Sequence, residues 1–504
     1  MKITKYIIGL SMMAGTVLGL PSCTDLSETV YDQVMSKNYY NTKQDVINAV
    51  FRPFEHIYES IVRRHEHEEL TGDQLITPTR GTWWYDGGKW EKYHYHQYDD
   101  INQEDWTNEW EGMYGGIGQC NLVLDDLSQL NPSKFNLSDS EFDSFKAQLR
   151  CMRAYCYLRL LNSYRNCILT TTSDQAVNEQ PENRKQVSPQ VMFDFIESEL
   201  RDVCLVALPS KIGQSGNGGQ QGQFTKAGAA ALLVRLYLNA EKWIGQPKWQ
   251  ECIDMCERIT GGEFGYYAIA DNWYEPFDWN NEAMRENPYA QRDPRFYLTI
   301  VHNSMKWPAD KEVEIWEGGS NGLPLTNATT TGYYLRKYVN SSVSFEAGAP
   351  TTKAHHNWIL FRYAEVLLNY AEAMVNAYDD ITFTNEKCGM SALQAVNLVR
   401  GRDGVKMPAL SETLSPADFL KRLKNERRVE LAFEGHRFWD LRRWKELDAS
   451  KDIYGVKITK GEAGVDYARQ LLDTRSVDDK LYFYPIANTE LFKNDKLKQN
   501  PGWK

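Results

Sequence analysis

Apolar residues recur at helical spacing along most of this chain. The clearest runs lie at residues 149–164 and 360–371, where apolar side chains return at the intervals of one face of an α-helix. The same spacing predicts further helices at 43–62, 106–129, 189–205, 226–241, 247–259, 391–402 and 415–434. Several of these helices follow one another in pairs, which is typical of helical-hairpin repeats. The pattern therefore predicts a mainly α-helical fold.

Two long stretches lack this periodicity. Residues 71–105 and 261–352 are rich in Gly, Pro, Asn and aromatic residues. Irregular segments of this length are uncommon inside a compact domain, and those that occur are often functional. We therefore expect irregular insertions at these two places to carry the function, on a helical scaffold.

Two polar stripes interrupt the apolar faces of the predicted helices. Each stripe has four polar residues spaced so that they share one helical face: Arg362, Glu365, Asn369 and Glu372 in the first, and Arg427, Glu430, Glu434 and Arg437 in the second. Paired carboxylates are one arrangement for acid–base catalysis. Buried charges need partners, however, and each stripe combines acids with arginine. We therefore interpret the stripes as an ion-pair network where two helices pack.

The first 22 residues have the features of an export signal. Two lysines precede an apolar run at residues 7–20, and Cys23 follows Ser22. This run is too short and wrongly flanked for a membrane-spanning helix. A Cys after a small residue at the cleavage point resembles a bacterial lipobox, so we expect removal of residues 1–22 and a lipid on Cys23. The alternative is an ordinary secretory signal in which this Cys has no role. In either case residues 23–504 are expected to form a single domain.

Composition narrows the classes of function. The chain has 504 residues, with 57 Lys+Arg against 68 Asp+Glu and a formal charge of −11. This acidic balance argues against a nucleic-acid partner, which requires a basic surface. The sequence contains no P-loop, dinucleotide fingerprint or nucleophile elbow, and we expect no cofactor.

Cysteine and histidine spacing gives no metal motif. The eight cysteines besides Cys23 lack zinc-type spacing, and we predict buried free thiols. The run HEHEE at residues 65–69 lacks the spacing that puts two histidines on one helical face. We predict a solvated face there and no metal site. His94 and His96 alternate with tyrosines, which predicts a short strand.

Several segments carry the motifs of one known family. They are NERRVELAFEGHRFWDLRRW at 425–444, RYAEVLLNYAEA at 362–373, DPR at 293–295, YPI at 484–486 and QNPGW at 499–503. Together with the lipoprotein signal they resemble the SusD/RagB family of outer-membrane lipoproteins. The resemblance spans essentially the whole chain. One departure is Asn-Cys-Ile at 166–168, where the family usually has Gly, a residue and Pro, and this puts one local turn in doubt.

The resemblance implies a particular architecture and role. The SusD-like fold has four tetratricopeptide-like helical pairs and an irregular, loop-rich, ligand-binding half. It implies no catalysis. Such proteins sit on a TonB-dependent SusC-like transporter at the cell surface and bind nutrient there, most often glycan. The family places its glycan site on aromatic residues from a loop soon after the first helix and from a mid-chain segment.

An aromatic cluster lies in the first of these places. Residues 83–98 include seven aromatic residues in sixteen. Flat aromatic rings stack on the apolar faces of sugars, and neighbouring polar groups bind the hydroxyls. We predict that Trp83, Trp84 and Tyr85 stack on the glycan and that Asp73 and Arg80 serve its hydroxyls. The alternative is that these rings fill a gap between the loop and the helices.

A second aromatic cluster spans residues 266–316. We select Trp273, Trp279 and Trp307 as stacking residues. The alternative for each is packing beneath the loops.

These features predict a cell-surface glycan-binding lipoprotein that delivers an oligo- or polysaccharide to the transporter. The row of Trp residues favours a β-glucan or another plant polysaccharide. A different hypothesis is a secreted helical glycoside hydrolase, which requires two carboxylates about 5–10 Å apart across an aromatic cleft. A third is a peptide-capturing protein, or a transporter lid that binds no glycan.

Overall fold

The helices predicted from the periodicity form most of the fold. The computed structural model describes residues 39–78, 88–101, 104–177, 185–210, 222–265, 282–290, 292–307, 311–326, 328–340 and 358–503. Residues Thr42–Lys504 form one compact unit, and Met1–Asn41 are grouped separately. The α-helices in the first half of the chain are α1 Lys43–Thr71, α2 Lys89–His94, α3 Glu104–Ser128, α4 Asp139–Tyr164, α5 Ser173–Val177, α6 Pro189–Ser198, α7 Leu205–Ala207, α8 Lys226–Leu238, α9 Ala240–Ile244 and α10 Trp249–Thr260. Those in the second half are α11 Glu282–Glu286, α12 Pro294–Thr299, α13 Tyr363–Tyr378, α14 Ala392–Gly401, α15 Pro416–Glu430, α16 His436–Arg443 and α17 Asn488–Lys493. The prediction of a mainly helical fold is confirmed.

Successive long helices pack on one another to form the helical half of the protein. Helix α3 packs against both α1 and α4, whereas α10 packs against α8 and α13. Helix α13 also contacts α14 and α15. Capping boxes at Thr42 and Ser138 begin α1 and α4, since each side chain satisfies a backbone N–H of the first turn. The tetratricopeptide-like character of the pairs stays a prediction.

Two antiparallel strand pairs add structure that the sequence pattern does not predict. Strand β1 (Ile300–Val301) pairs with β2 (Tyr334–Leu335), and β3 (Asp452–Gly461) pairs with β4 (Gly464–Thr474). The second pair is a long hairpin with an irregular register between Ile453 and Tyr454. Most residues of β4 are exposed or half-buried, so its sequence shows little of the apolar alternation that identifies strands.

The irregular half, meaning the described residues of 282–340 and the hairpin at 452–474, has its own hydrophobic core. We refer to its buried residues as the irregular core: Val301, Val313, Ile315, Trp316, Val456 and Ile458. Two of these come from β3, so the hairpin covers the loops that precede it. The described part of the predicted insertion at 261–352 is therefore packed against the β3–β4 hairpin.

The two polar stripes face each other, as predicted. Arg362 forms ion pairs with Glu430 at 2.9 Å and with Glu434 at 2.8 Å. Arg427 donates to Asn369 from the opposite stripe and pairs with Asp440 at 3.0 Å. The ion-pair interpretation is thus confirmed.

The acids of the stripes pair mainly with arginines of other chain segments, and only in part with an arginine of the facing stripe. Glu430 accepts from guanidinium groups of three arginines that lie on other segments, Arg402 at 2.7 Å, Arg295 at 2.8 Å and Arg362 at 2.9 Å. The helix predicted at 415–434 also ends at Glu430, and α16 begins only at His436. The second stripe therefore spans a helix, a turn and the next helix.

The cysteines agree with the prediction of buried thiols. All eight cysteines besides Cys23 are free and buried. Two of them, Cys252 and Cys256, lie on the buried face of α10. They act as small apolar residues in the packing of the helices.

We predict that Glu430→Gln lowers the free energy of unfolding by about 3–5 kcal/mol at neutral pH, because it removes the carboxylate shared by three arginines and leaves Arg402 without an acid partner among the described residues. Burial alone would raise the pKa of Glu430, but the charges of Arg362, Arg402 and Arg295 outweigh this effect and lower it to about 2. The stabilisation is therefore present above the unfolded-state pKa of about 4.3 and is lost as pH falls toward 2. Urea unfolding should show a smaller difference in the free energy of unfolding between wild type and variant at acidic pH than at neutral pH.

Glu412→Gln, at an exposed position before the same helix, is the matched control and should change the free energy of unfolding by less than about 0.5 kcal/mol. Equal effects of the two substitutions would contradict a special role for the network.

Candidate functional site

The C-terminal end of α1 is enclosed by other segments. His67, Glu68 and Glu69 of the HEHEE run are buried, so the prediction of a solvated face is wrong. Glu68 accepts hydrogen bonds from the guanidinium of Arg159 at 2.6 Å and from the indole N–H of Trp439 at 3.0 Å. Within the described part of the chain, no group of three or more His, Cys, Asp or Glu side chains is arranged to hold a metal ion.

Glu69 contacts the turn between α15 and α16. Its carboxyl group accepts a 2.7 Å hydrogen bond from the backbone N–H of Gly435. Gly435 has φ +75°, and a Cβ at this position would lie 2.6 Å from Glu68 Oε2, so the close approach requires glycine. Burial raises the pKa of Glu69 to about 8, against the opposing effect of the Gly435 hydrogen bond.

Asp73, which was predicted to bind ligand hydroxyls, is engaged in ion pairs. Its side chain is 5% exposed and contacts the guanidinium groups of Arg437 at 2.8 Å and Arg428 at 3.4 Å. Burial alone would raise the pKa of Asp73, but the charges of Arg428 and Arg437 outweigh that effect and lower it. These contacts favour a structural role that ties the end of α1 to α16.

The described part of the first aromatic cluster contains helix α2, and the prediction of a short strand around His94 and His96 is wrong. Helix α2 ends at His94, whose Nε2 lies 3.2 Å from Asp473 Oδ2 at the end of β4. The ring nitrogens of His96 lie 2.9 and 3.1 Å from the carbonyl oxygens of Ser476 and Thr71. Both histidines are buried. This segment is therefore held between α1 and the hairpin.

Most of the predicted site residues lie outside the described residues. These are Arg80, Trp83, Trp84, Tyr85, Trp273, Trp279 and the lipidation residue Cys23. In the sequence, the first four directly precede residues 88–98, the segment that contains α2 and His96. Their roles stay predictions.

Trp307 lies on the surface of the irregular half. Its ring is half-buried and packs against the irregular core. Its backbone N–H donates to the carbonyl of Lys311 at 2.9 Å. By contrast, Trp316 is 8% exposed and belongs to the core itself.

Trp307 is one of five half-buried rings around this core, and we refer to them as the aromatic platform: Phe296, Trp307, Tyr333, Tyr334 and Tyr467. Four of them pack directly against the irregular core, and Phe296 contacts Tyr333 edge-on at 6.1 Å between ring centroids. Tyr334 also donates from its hydroxyl to the carbonyl of Asn321 at 2.6 Å.

Buried rings support the platform from beneath. Tyr289 and His302 stack with their centroids 4.3 Å apart, and Phe296 lies parallel to His302 at 5.5 Å. Tyr333 and Tyr467 both meet Tyr289 edge-on. Offset-stacked and edge-to-face pairs are the favoured arrangements of aromatic rings, so this packing holds the platform in one geometry.

Polar groups lie between the rings of the platform. Asn303 donates to the hydroxyl of Tyr467 at 3.2 Å, and the guanidinium of Arg292 lies 4.9 Å from the centre of the Phe296 ring. Asn303 is fully buried and orients Tyr467, whereas the half-buried Arg292 adds a polar group beside the rings. The sequence pattern does not single out the three tyrosines of the platform, because Tyr467 arrives from a hairpin far downstream of Trp307.

The fold and the comparisons with known proteins give the class of this protein. The sequence model of the SusD family matches residues 211–503, and the chain belongs to this family. A second family model, described as starch-binding and associating with the outer membrane, matches residues 27–238. In the described part of the chain, no helix has the length and apolar character needed to cross a membrane.

Individual relatives are similar over nearly their full lengths. A SusD-like protein P2 from Formosa agariphila is 22% identical, covering 99% of this chain and all of the relative. A solved SusD-like protein from Bacteroides fragilis has a TM-score of 0.72 at 22% identity, covering 92% of this chain and 98% of its own. A structure described as a laminarin-binding SusD-like protein has a TM-score of 0.62 at 19% identity, covering 92% of this chain and all of its own.

We predict that Glu69→Gln stabilises the protein at pH 8 and has little effect at pH 4. An acid whose folded-state pKa is raised loses stability as pH increases from the unfolded-state value, about 4.3, to the folded-state value, about 8. Gln removes this loss and keeps an acceptor for Gly435. Urea unfolding at both pH values should show a gain above about 1 kcal/mol at pH 8.

Glu66→Gln is the matched control, because Glu66 is exposed on the same helix. It should leave the pH dependence of unfolding unchanged. If Glu69→Gln leaves that dependence unchanged as well, the buried carboxyl is not the group that titrates.

Proposed function

We propose that this protein is a lipid-anchored, cell-surface glycan-binding protein of the outer membrane. It captures an oligo- or polysaccharide and delivers it to a TonB-dependent SusC-like transporter. It acts by reversible binding and catalyses no reaction.

The aromatic platform is the observation that carries this proposal. Each of its five residues is half-buried, so part of its surface remains exposed to a ligand, and four of them are held in place by the irregular core. A sugar ring stacked on one aromatic face gains on the order of 1 kcal/mol. Several such contacts add up for a polymer that reaches more than one ring, and rigid rings lose little freedom on binding.

The comparisons support glycan as the ligand class. One structural neighbour is described as laminarin-binding, and another, from Bacteroides fragilis, as carbohydrate-binding, with a TM-score of 0.66 at 20% identity over 91% of this chain and all of its own. Laminarin is a β-glucan, which agrees with the preference inferred from the row of Trp residues.

The binding surface in this proposal has two parts. Trp307 of the aromatic platform belongs to one part, together with Trp273 and Trp279. Trp83, Trp84, Tyr85 and Arg80 form the other part, next to the anchored segment around α2. Asp73 is left out because its carboxylate is held by arginines.

Titration of the chain from residue 24 onward with laminarin, cellulose oligosaccharides, starch and xylan tests the proposal. We expect one glycan class to bind. Trp307→Ala and the double variant Trp83→Ala, Trp84→Ala should each weaken that binding about threefold to tenfold per ring removed. Unfolding temperatures report whether each variant is folded.

Tyr58→Ala is the matched control, because Tyr58 is 60% exposed on α1 in the helical half. It should leave the affinity unchanged. Absence of binding to every glycan would overturn the proposal in favour of peptide capture or a transporter lid. Binding that survives both Trp changes would keep the function and remove these residues from the site.

The lipid anchor gives a separate prediction. In a bacterium that processes lipoproteins, Cys23→Ser should release the protein from the membrane fraction, because serine offers no thiol for acylation. Cys388→Ser, at a buried free thiol, is the matched control and should leave the protein attached. Membrane attachment of Cys23→Ser would contradict the lipoprotein assignment.

A further inference from the structure

One buried side-chain amide connects three segments of the irregular half. Asn303 is fully buried and lies shortly after β1. Its side-chain oxygen, Oδ1, accepts a 2.8 Å hydrogen bond from the backbone N–H of Ile315. A backbone N–H can only donate, so this contact determines which end of the amide is oxygen and which end is nitrogen. The NH₂ group of Asn303 therefore points away from Ile315.

The NH₂ group of Asn303 donates to two hydroxyl oxygens. Its Nδ2 lies 3.1 Å from Oγ of Ser304 and 3.2 Å from Oη of Tyr467 on β4. An amide nitrogen donates and does not accept, so both hydroxyl oxygens are acceptors in these two contacts. Each hydroxyl therefore keeps its own hydrogen for a further contact.

At least one of these two hydroxyl hydrogens is left to donate outward. Burial raises the pKa of Tyr467, and its hydrogen bonds with Asn303 and Ser304 oppose this effect, so the two hydroxyls also contact each other. That contact uses one hydrogen, and neither hydroxyl donates to any further group among the described residues. Ser304 is exposed and Tyr467 is half-buried, so the remaining donor is within reach of a ligand at the aromatic platform.

The backbone at Ser304 is a second observation that points to a binding role. Ser304 is the third residue of a turn that is closed by the Met305 N–H, which donates to the carbonyl of His302 at 3.3 Å. Its φ is +63°, a conformation that favours glycine. Backbone strain of this kind is concentrated at functional sites. Glycine would fit this backbone better than serine but would lack the hydroxyl.

We propose that the hydroxyls of Ser304 and Tyr467 form a hydrogen-bond donor pair for the glycan, and that Asn303 positions them. The pair donates to an oxygen at the edge of a sugar that stacks on a neighbouring ring of the aromatic platform. This inference rests on the function proposed above and adds the polar part of that site. An aromatic face alone allows several orientations of a sugar, whereas a fixed donor allows few, so the pair selects the orientation of the ligand.

Calorimetric titration of the full chain, in a polyoxyethylene detergent, tests the donor pair with laminarin, cellulose oligosaccharides, starch and xylan. Ser304→Ala and Tyr467→Phe each remove one hydroxyl and keep the rest of the side chain. For the glycan that binds wild type, each should weaken binding about threefold to tenfold. The double variant should bind at least as weakly as the weaker single variant. Unchanged affinity in the double variant overturns the proposal.

Two matched controls make the same chemical changes at hydroxyls that already donate within the protein. Ser320 donates to Asn321 Oδ1 at 3.1 Å, and Tyr338 donates to the carbonyl of Phe433 at 2.9 Å. Ser320→Ala and Tyr338→Phe should therefore change the affinity by less than about twofold. If the controls weaken binding as much as the changes at Ser304 and Tyr467, the assignment to this pair is overturned.

Asn303→Asp tests the positioning role. Asp keeps an acceptor for the Ile315 N–H but replaces the NH₂ donor with an oxygen, so the hydroxyls of Ser304 and Tyr467 turn their hydrogens inward. Three donors around the carboxylate favour its ionised form. We expect affinity to fall about as far as in the double variant.

In the background of that double variant, Asn303→Asp should have no further effect on affinity, because no hydroxyls remain to be oriented. A merely structural role of Asn303 would lower affinity in both backgrounds, and this outcome overturns the positioning role.

Unfolding temperatures report whether each variant is folded. If Asn303→Asp does not fold, Ser304→Ala and Tyr467→Phe still decide the proposal, because neither changes the buried amide. Wild-type affinity that persists in the double variant overturns the donor pair and keeps the glycan-binding function. Absence of binding of every glycan to wild type overturns both.

Discussion

Pairing of buried arginines with the carboxylates of the α15–α16 segment is the interaction on which the arrangement of this protein depends. Arg295, at the start of α12 in the irregular half, reaches both Glu426 and Glu430. Lys337, just after β2, reaches Glu434 at 2.6 Å. Separation of the two halves would leave buried charges unpaired, which is far more costly than the loss of an exposed ion pair. The network therefore holds the irregular half on the helical half.

The same segment also receives the end of α1, through the Gly435 N–H on Glu69 and the Arg437 guanidinium on Asp73. Its dense charge is thus explained by the number of chain segments that meet there. A rigid arrangement of chain segments suits a binding site that relies on weak stacking contacts. Rings that are already fixed lose little conformational freedom when a ligand binds, so more of each small contact energy remains as affinity.

The sequence predicted the structure correctly where residues close together in the sequence determine it. Apolar spacing predicted the long helices, and the pairing of acids with arginine predicted the network between Arg362 and Glu430. Local patterns were misleading where distant residues decide burial. The HEHEE run reads as a solvated face, but Arg159 and Trp439 cover Glu68. The platform was only partly predicted, because Trp307 belongs to a local cluster, whereas Tyr467 arrives on a hairpin whose β4 strand shows little apolar alternation.

The aromatic platform determines which ligands can bind well. Its rings are apolar and each stacking contact is weak, so affinity depends on how many rings one ligand reaches. A long polysaccharide can contact several rings at once, and the later contacts cost little additional freedom because the first contact already holds the chain in place. A single sugar gains only the energy of one contact. The platform therefore favours a polymer over its monomer, even though both offer the same sugar face.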